Sequence, residues 1–510
     1  MRLDDLVRAA GLRPPPPTVA AAEVLAVTQD SRRAGPGSLF VAVRGQHADG
    51  HDHVAAALAA GAVAAVVEHA PPGIPTERCL LADDGPAALG RLAARLWGDP
   101  SGRCRVVGVT GTDGKTTTCT LLHAALGGAG RRAGALTTVD FRCGTAVEAN
   151  LTRQTTLEAP EVQERLHRLV EAGCTEVALE ATSHALRLHR VDAVHFQGAV
   201  FTAVTHDHLD FHGSWEAYLA AKARLLEQAA ASVDGFAVLN RDDERAYAPL
   251  ATMSVPRRLS YSAAGAPGAD LRAVAIEASP EGTRFVAETP LGRSAVSLRL
   301  AGRWNVDNAL AALGAGLLLG LPLGRLVEGL EGCAGVSGRM ERVDRGQPFA
   351  VIVDYAHTPA SLAKVLGTLR PATPGRLWVV FGSAGERDLD KRATMGEIAS
   401  GLADQVVVTS EDPREEDPDA IVAAIVAGAL AAGGDSGATV HALVDRAEAI
   451  DFAIRRARPG DTVLLAGKGH EASILEGRGS RPWDERRAAE EALARCGHSG
   501  RAPMGDRRPC

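Results

Sequence analysis

Aromatic side chains are scarce: Phe, Trp and Tyr make up 4% of 510 residues. So little stacking surface excludes a base-stacking platform for single-stranded nucleic acid. Basic residues are not in excess either, with 55 against 62 acidic ones and a net charge of -7, which excludes a general nucleic-acid binder. Long apolar runs are missing. The longest, near 309–323, is broken by Gly314, Gly316 and Gly320 and falls short of the about 20 residues that cross a bilayer. No membrane association is expected. The start, Met1-Arg2-Leu3-Asp4-Asp5, lacks the basic and apolar parts of a secretory signal. The cysteines (Cys79, Cys104, Cys119, Cys143, Cys174, Cys333, Cys496 and Cys510) form no C-x-x-C pair. That speaks against a disulfide framework and a zinc ribbon, and for incidental thiols in a reducing cytoplasm.

Lysine is nearly absent. It stands only at Lys115, Lys222, Lys364, Lys391 and Lys468, and every other basic residue is arginine. Where composition has favoured arginine so strongly, a retained lysine is a candidate for work that a guanidinium cannot do.

What is present is ordinary soluble material: 46% hydrophobic and 23% charged residues. The length fits about three α/β domains. Residues 1–100 read as a small α/β unit, with strands at 38–43 and 63–67, a helix at 54–60, a stiff proline turn at 14–17 and a linker at Asp99-Pro100-Ser101-Gly102. From 101 to 338, short buried strands at 105–110, 177–180, 199–204 and 236–240 alternate with helices, which predicts a parallel sheet. The stretch 257–300 alternates differently and reads as appended antiparallel strands. Residues 339–495 carry strand runs at 349–354, 377–381, 405–409, 440–444 and 462–466, a Rossmann-like doubly wound pattern. The tail 496–510 is rich in Gly, Arg and Pro and reads as disordered.

The strongest local signal is Thr110-Gly111-Thr112-Asp113-Gly114-Lys115-Thr116-Thr117, which runs from a strand into a helix start. Backbone N–H groups and the helix dipole there favour phosphate, Lys115 would reach the β/γ phosphates, and Thr116 suits Mg²⁺. It is a G-x-x-G-K-T variant, with Val109 where the strict P-loop has glycine. Glu180 stands at the end of the next strand, and the segment Thr205-His206-Asp207-His208 follows another, at the edge where open sheets bind ligands. Hard oxygen donors beside a phosphate loop favour magnesium over zinc. Lys222 falls in an amphipathic helix and, taken alone, reads as a solvated helix residue. In the third unit four polar loops follow strands: Asp354-Tyr355-Ala356-His357, Gly382–Asp388, Glu411-Asp412-Pro413-Arg414 and Gly467-Lys468-Gly469-His470-Glu471. They point to a second ligand-binding face.

Together these segments resemble the Mur ligases of peptidoglycan synthesis, most closely the MurE type. The resemblance runs from Asp30-Ser31-Arg32 through the phosphate loop, Glu180-Ala181-Thr182-Ser183-His184, the Asp207–Gly213 segment, Asn305 and Asn308, Gly338-Arg339-Met340-Glu341 and Asp354-Tyr355-Ala356-His357-Thr358-Pro359 to Gly467–Glu471. It implies three domains, which bind a UDP-sugar, ATP and the incoming amino acid. It assigns UDP-sugar contacts to Ser31, Gln46, His47, Ala48, Thr155, Thr156, Thr182 and Arg190. ATP contacts fall to Thr110–Thr117 and, on the adenosine side, to Asn305, Arg339 and Asp354. The metal ligands are Thr116, Glu180, His208 and Lys222, the last as a CO₂-derived carbamate, and Lys115, Lys222 and His208 are the catalytic set. The amino-acid pocket is Arg387, Asp412, Arg414, Gly467 and Glu471.

The sequence departs from the family pattern at Asp113, Gln154, Leu157, Leu188 and Ser383-Ala384. Asp412 stands where the type that adds meso-diaminopimelate carries Asn. As a bare acid it would favour the terminal ammonium of L-lysine or L-ornithine. As a turn residue before Pro413 it would select nothing. Arg414 suits a carboxylate and keeps meso-diaminopimelate open.

The implied activity is ATP-dependent addition of a diamino acid to the D-Glu of UDP-MurNAc-L-Ala-D-Glu through an acyl phosphate, by a cytoplasmic monomer that uses Mg²⁺. The alternatives are another carboxylate–amine ligase, such as a different Mur ligase or a folylpolyglutamate synthase, and a nucleotide-binding regulatory protein.

Overall fold

The computed structural model describes residues 1–45, 48–205, 207–279, 282–386, 388–432 and 437–500. Gln46, His47, His206, Arg387 and residues 501–510, all singled out above, lie outside the described residues. The chain forms two compact units. One comprises Met1–Ala275, Phe285–Val296 and Val306–Cys333; the other comprises Ile276–Arg284, Ser297–Asn305 and the chain from Ala334 onward. Among the described residues, no helix is long and apolar enough to cross a membrane.

In the first unit, the strands Ala26–Thr28, Ser38–Val41, Ala64–Val67 and Cys79–Leu81 pair in that order, all parallel. The second and third are buried along their whole length because helices cover both faces. One of these, Gly85–Leu96, starts at Asp84, whose side chain accepts from Ala87 N, with Pro86 in the first turn. It packs on the helix Ala159–Glu171, and Arg33 pairs with Glu161 on the same helix. Residues 99–102, expected to be a linker, form a packed joint instead. Pro100 and Ser101 are buried in a 3₁₀ turn, and Ser101 Oγ accepts from His195 N at 3.0 Å.

The central sheet has eleven strands, with Arg105–Thr110 between Glu176–Glu180 and Phe196–Phe201, all three parallel. Their carboxyl ends therefore open on one edge. Phe236–Asn240 continues the sheet in parallel on one side. On the other, Ala133–Leu136 is parallel, while Asp140–Cys143 and Ala146–Ala149 turn back antiparallel. The antiparallel reading needs correction where the stretch begins. Arg257–Ser262 pairs in parallel with Phe236–Asn240, and Leu271–Ser279 begins in parallel with it. The helix Glu244–Thr252 supplies the crossover that parallel pairing needs.

In the second unit a six-stranded sheet runs Glu341–Arg342, Ala350–Asp354, Thr462–Ala466, Leu377–Phe381, Gln405–Val408, Thr439–Ala442. Every pair but the first is parallel. One apolar core gathers under the helices Pro359–Ala372, Asp390–Leu402 and Pro418–Ala432, and a second under Arg446–Arg456 and Glu485–Arg495. The doubly wound pattern thus brings the loops after the strands to one edge. Of the tail expected to be disordered, residues 496–500 pack back: Gly500 N donates to the Arg345 carbonyl, and His498 meets Phe349 edge-on.

Candidate active site

The phosphate loop leaves the buried strand Arg105–Thr110 and enters the helix Lys115–Gly128 at Gly114. Gly114 has φ 85°, and a Cβ there would stand 2.4 Å from Asn308 Oδ1, so only glycine fits. Asn308 Oδ1 in turn accepts from Thr118 Oγ1 at 3.2 Å, which fixes the first helical turn. Thr202 Oγ1 donates to the Asp113 carbonyl at 2.6 Å, and Thr112 N to the Ala203 carbonyl at 2.6 Å, so the neighbouring strand end supports the loop from below.

Two lysines converge on this loop. Lys115 Nζ donates to the carbonyls of Gly111 (3.1 Å) and Thr112 (2.8 Å), and Lys222 Nζ donates to the same Gly111 carbonyl at 2.7 Å. Lys222 is 1% exposed, which corrects its reading as a solvated helix residue. The helix Trp215–Ala230 turns its polar stripe outward but points this lysine inward, over the Tyr218 ring at 4.4 Å. Burial, and then the Lys115 charge, pushes its amine far below the ordinary lysine range, toward the neutral form.

Glu180 is 1% exposed. Its carboxylate accepts from Thr138 N (2.8 Å) and Thr138 Oγ1 (3.0 Å), and Thr116 is also hydrogen-bonded to it. Burial raises its pKa, against the pull of Lys115. The His208 imidazole stands edge-on to His184 with ring centroids 4.6 Å apart, and burial lowers its pKa. Lys115, Thr116, Glu180 and Lys222 are therefore linked around one loop, and His208 lies close enough to feel both lysine charges. Among the described residues, no three His, Cys, Asp or Glu side chains converge as a ready-made metal site.

Thr156, Thr182 and Arg190 also meet. Thr156 Oγ1 donates to the Glu180 carbonyl (2.7 Å) and accepts from Thr182 N (3.1 Å), while Arg190 donates to the Thr156 carbonyl (3.3 Å) and pairs with Glu158 at 2.8 Å. Thr155 is the neighbouring loop residue. Ser31, in the turn Ser31–Arg33 capped by Asp30, and Ala48 lie in the loops after two adjacent parallel strands.

In the second unit, Arg339 lays its guanidinium over Tyr355 at 4.6 Å. Asp354 accepts from Met340 N (2.7 Å) and Ala356 N (2.9 Å), and burial raises its pKa against the pull of Arg339. Asn305 Nδ2 donates to the Ala301 carbonyl. The loop residues expected to form the amino-acid pocket are tied to one another. Lys468 Nζ, fully buried, is 2.9 Å from Asp412 Oδ1 and also bonds Glu471 Oε2. Leu475 N donates to Asp412 Oδ1 at 2.8 Å, and Tyr355 Oη donates to Glu471 Oε1 at 3.2 Å. Asp412 is thus not a bare acid, because Lys468 and Leu475 N meet its carboxylate from inside the fold. Arg414, at φ 56°, has a buried Nε without a hydrogen-bond partner. Gly467 lies against Glu411, where a Cβ would stand 2.5 Å from Glu411 Oε2. Burial pushes the Glu411 carboxyl up to about 7, against the pull of Arg446 and Lys468.

Three participants were not legible as such. Thr138 sits in a hairpin turn that no motif marks. Tyr218 lies one helical turn before Lys222, a spacing that would have flagged it. Lys468 was marked by lysine scarcity but had no partner in the sequence.

The chain matches the Mur ligase family catalytic domain over residues 23–96, the Mur ligase middle domain over 109–316 and the Mur ligase glutamate ligase domain over 338–469. It is 48% identical to a UDP-N-acetylmuramyl-tripeptide synthetase of Roseiflexus sp. (strain RS-1), over 94% of this chain and 96% of the relative. It is 44% identical to a UDP-N-acetylmuramoyl-L-alanyl-D-glutamate–2,6-diaminopimelate ligase of Synechococcus elongatus, over 91% and 93%. A solved structure of such a ligase superposes with TM-score 0.68 at 31% identity, covering 98% of this chain and 100% of the other. The chain belongs to the Mur ligase family, ATP-dependent enzymes that form carbon–nitrogen bonds in peptidoglycan synthesis.

Proposed function

We propose that the chain joins a diamino acid to the D-Glu carboxylate of UDP-MurNAc-L-Ala-D-Glu at the expense of ATP. The observation that carries this reading is the convergence of Lys115 and Lys222 on the Gly111 carbonyl, with Glu180 and Thr116 beside them. A cation at the mouth of a backbone cradle suits a polyphosphate, and we assign to Lys115 the charge that offsets the transferring phosphoryl group, with Lys222 beside it held toward its neutral form. The carboxylate oxygen attacks the γ-phosphorus and ADP leaves. The free amine then attacks the acyl carbon and inorganic phosphate departs with that oxygen. Most of the acceleration comes from holding these groups in line.

The donor set fits magnesium. Glu180 and Thr116 offer hard oxygens, His208 stands near, and Lys222 is a desolvated amine of the kind that CO₂ carbamylates, which would add an anionic oxygen ligand. Bound there, the ion would offset phosphate charge. Thr156, Thr182 and Arg190, with Ser31, Ala48 and Thr155, are the residues we assign to the nucleotide sugar. Thr110–Thr117, Asn305, Arg339 and Asp354 are assigned to ATP, and Asp412, Arg414, Gly467 and Glu471 to the amino acid. The three-domain division of labour, with boundaries near 100 and 338, belongs to the same reading, as does a cytoplasmic location, where the nucleotide substrates are found.

The test is mass spectrometry of reactions containing ATP, Mg²⁺, UDP-MurNAc-L-Ala-D-Glu and meso-diaminopimelate, L-lysine or L-ornithine. A UDP-tripeptide that requires all components is expected. Phosphate release that needs no amino acid, with no amide formed, would refute the reading.

A further inference from the structure

Lys468 is one of five lysines in a chain that otherwise uses arginine, and it is buried completely. Its ammonium holds two carboxylates at once: Asp412 Oδ1 at 2.9 Å and Glu471 Oε2. Each acid is also fixed by a neutral donor, Asp412 by Leu475 N and Glu471 by Tyr355 Oη. The one ammonium thus lies between two carboxyl groups and ties both loops to it. Lysine suits this place because it is a compact point charge, whereas guanidinium is a broad planar fork.

We propose that Lys468 is a specificity-determining residue that cancels the charge of Asp412, so that Arg414 decides which amino acid enters. The inference rests on the function proposed above and deepens it. With Asp412 held by Lys468, position 412 offers no bare acid to a terminal ammonium. The Arg414 guanidinium has a buried Nε without a hydrogen-bond partner and meets Glu386 only at 3.9 Å, which leaves it donors for a carboxylate. The pocket therefore selects a diamino acid whose far end carries a second carboxylate, despite the acid at 412. Lys468 touches no reacting atom; it is a positioning residue acting through Asp412 and Glu471.

The test is kcat/KM for meso-diaminopimelate, L-lysine and L-ornithine in the wild type, Lys468→Met, Asp412→Asn and the double variant, with melting curves for each. The wild type should prefer diaminopimelate. Lys468→Met should lose about 100-fold on diaminopimelate, mainly through KM, since a buried acid is left unpaired. Its loss on the two basic amino acids should be about tenfold smaller, because the freed acid attracts their ammonium. The double variant should recover most of the diaminopimelate activity. Should Lys468→Met fail to fold, Asp412→Asn decides: with Lys468 retained, it should shift the preference further toward diaminopimelate. Equal losses on all three amino acids without rescue, an unchanged preference in Asp412→Asn, or a wild type that prefers lysine or ornithine would each overturn the proposal. A wild type that joins none of the three would overturn the function and this inference together, and is distinguished by the missing product.

Discussion

The two charged sites of this chain are built in opposite ways. Around the phosphate loop, two lysines face backbone carbonyls and a single buried carboxylate, Glu180. In the 411–471 loops, three acids, Glu411, Asp412 and Glu471, crowd round one buried lysine. The first sets one lysine, Lys115, at a backbone cradle suited to an anion and holds the other, Lys222, toward its neutral form. The second pairs Asp412 and Glu471 with its one buried lysine and leaves recognition to Arg414. A cradle made of backbone can be read from glycine, lysine and threonine spacing along the chain. A pocket made of side chains from separate loops cannot, because its charge depends on which side chains meet.

The comparison predicts unequal sensitivity. Lys115→Ala should have the largest effect, a loss of about 10²–10³ in kcat, because one transition-state contact to phosphate disappears while the fold remains. Single-turnover amide formation checks this, and near-normal turnover would break the cation-cradle description. Lys222→Ala should be nearly as severe. Lys222→Arg should not rescue it, because a guanidinium stays charged and cannot become a carbamate. Added short carboxylates should restore part of the Lys222→Ala activity, and their failure together with an active arginine variant would remove the carbamate from the account.

Tyr218→Phe sharpens the same side of the comparison. The hydroxyl meets Thr112 Oγ1 at 3.1 Å, and Thr112 Oγ1 accepts from Thr205 N at 2.9 Å, so one contact joins the phosphate loop, the His208 loop and the Lys222 helix. Loss of one such bond, about 1 kcal/mol, should raise KM for ATP about fivefold with little change in melting temperature.

The smallest effect expected is on stability. Burial pushes His123, behind the phosphate loop, down to about 4, and His470, in the second site, down to about 3. The unfolded chain, with histidine near its ordinary 6.5, takes up protons first as the pH falls. Stability present above 6.5 is therefore lost progressively toward 4. The fall in melting temperature between pH 7 and 5 should be shallower in His123→Gln and in His470→Gln than in the wild type. Equal slopes would contradict the burial of these rings.

The sequence showed the parallel sheets, the phosphate loop and the doubly wound third region, because strand runs, glycine placement and lysine scarcity are local signals. It misplaced what depends on partners far along the chain. Lys222 looked solvated until its helix packed against Gly111. Asp412 looked free or turn-bound until Lys468, 56 positions away, met it. The strand Arg257–Ser262 looked antiparallel because the residue pattern of a strand does not record which way its neighbour runs.

The central claim is that phosphate leaves as part of an acyl phosphate made on the D-Glu carboxylate. The direct test supplies UDP-MurNAc-L-Ala-D-Glu labelled with ¹⁸O in that carboxylate, together with ATP and the preferred diamino acid. The account predicts one ¹⁸O atom in each inorganic phosphate released and one retained in the new amide. Unlabelled phosphate, with both label atoms still on the dipeptide, would contradict it.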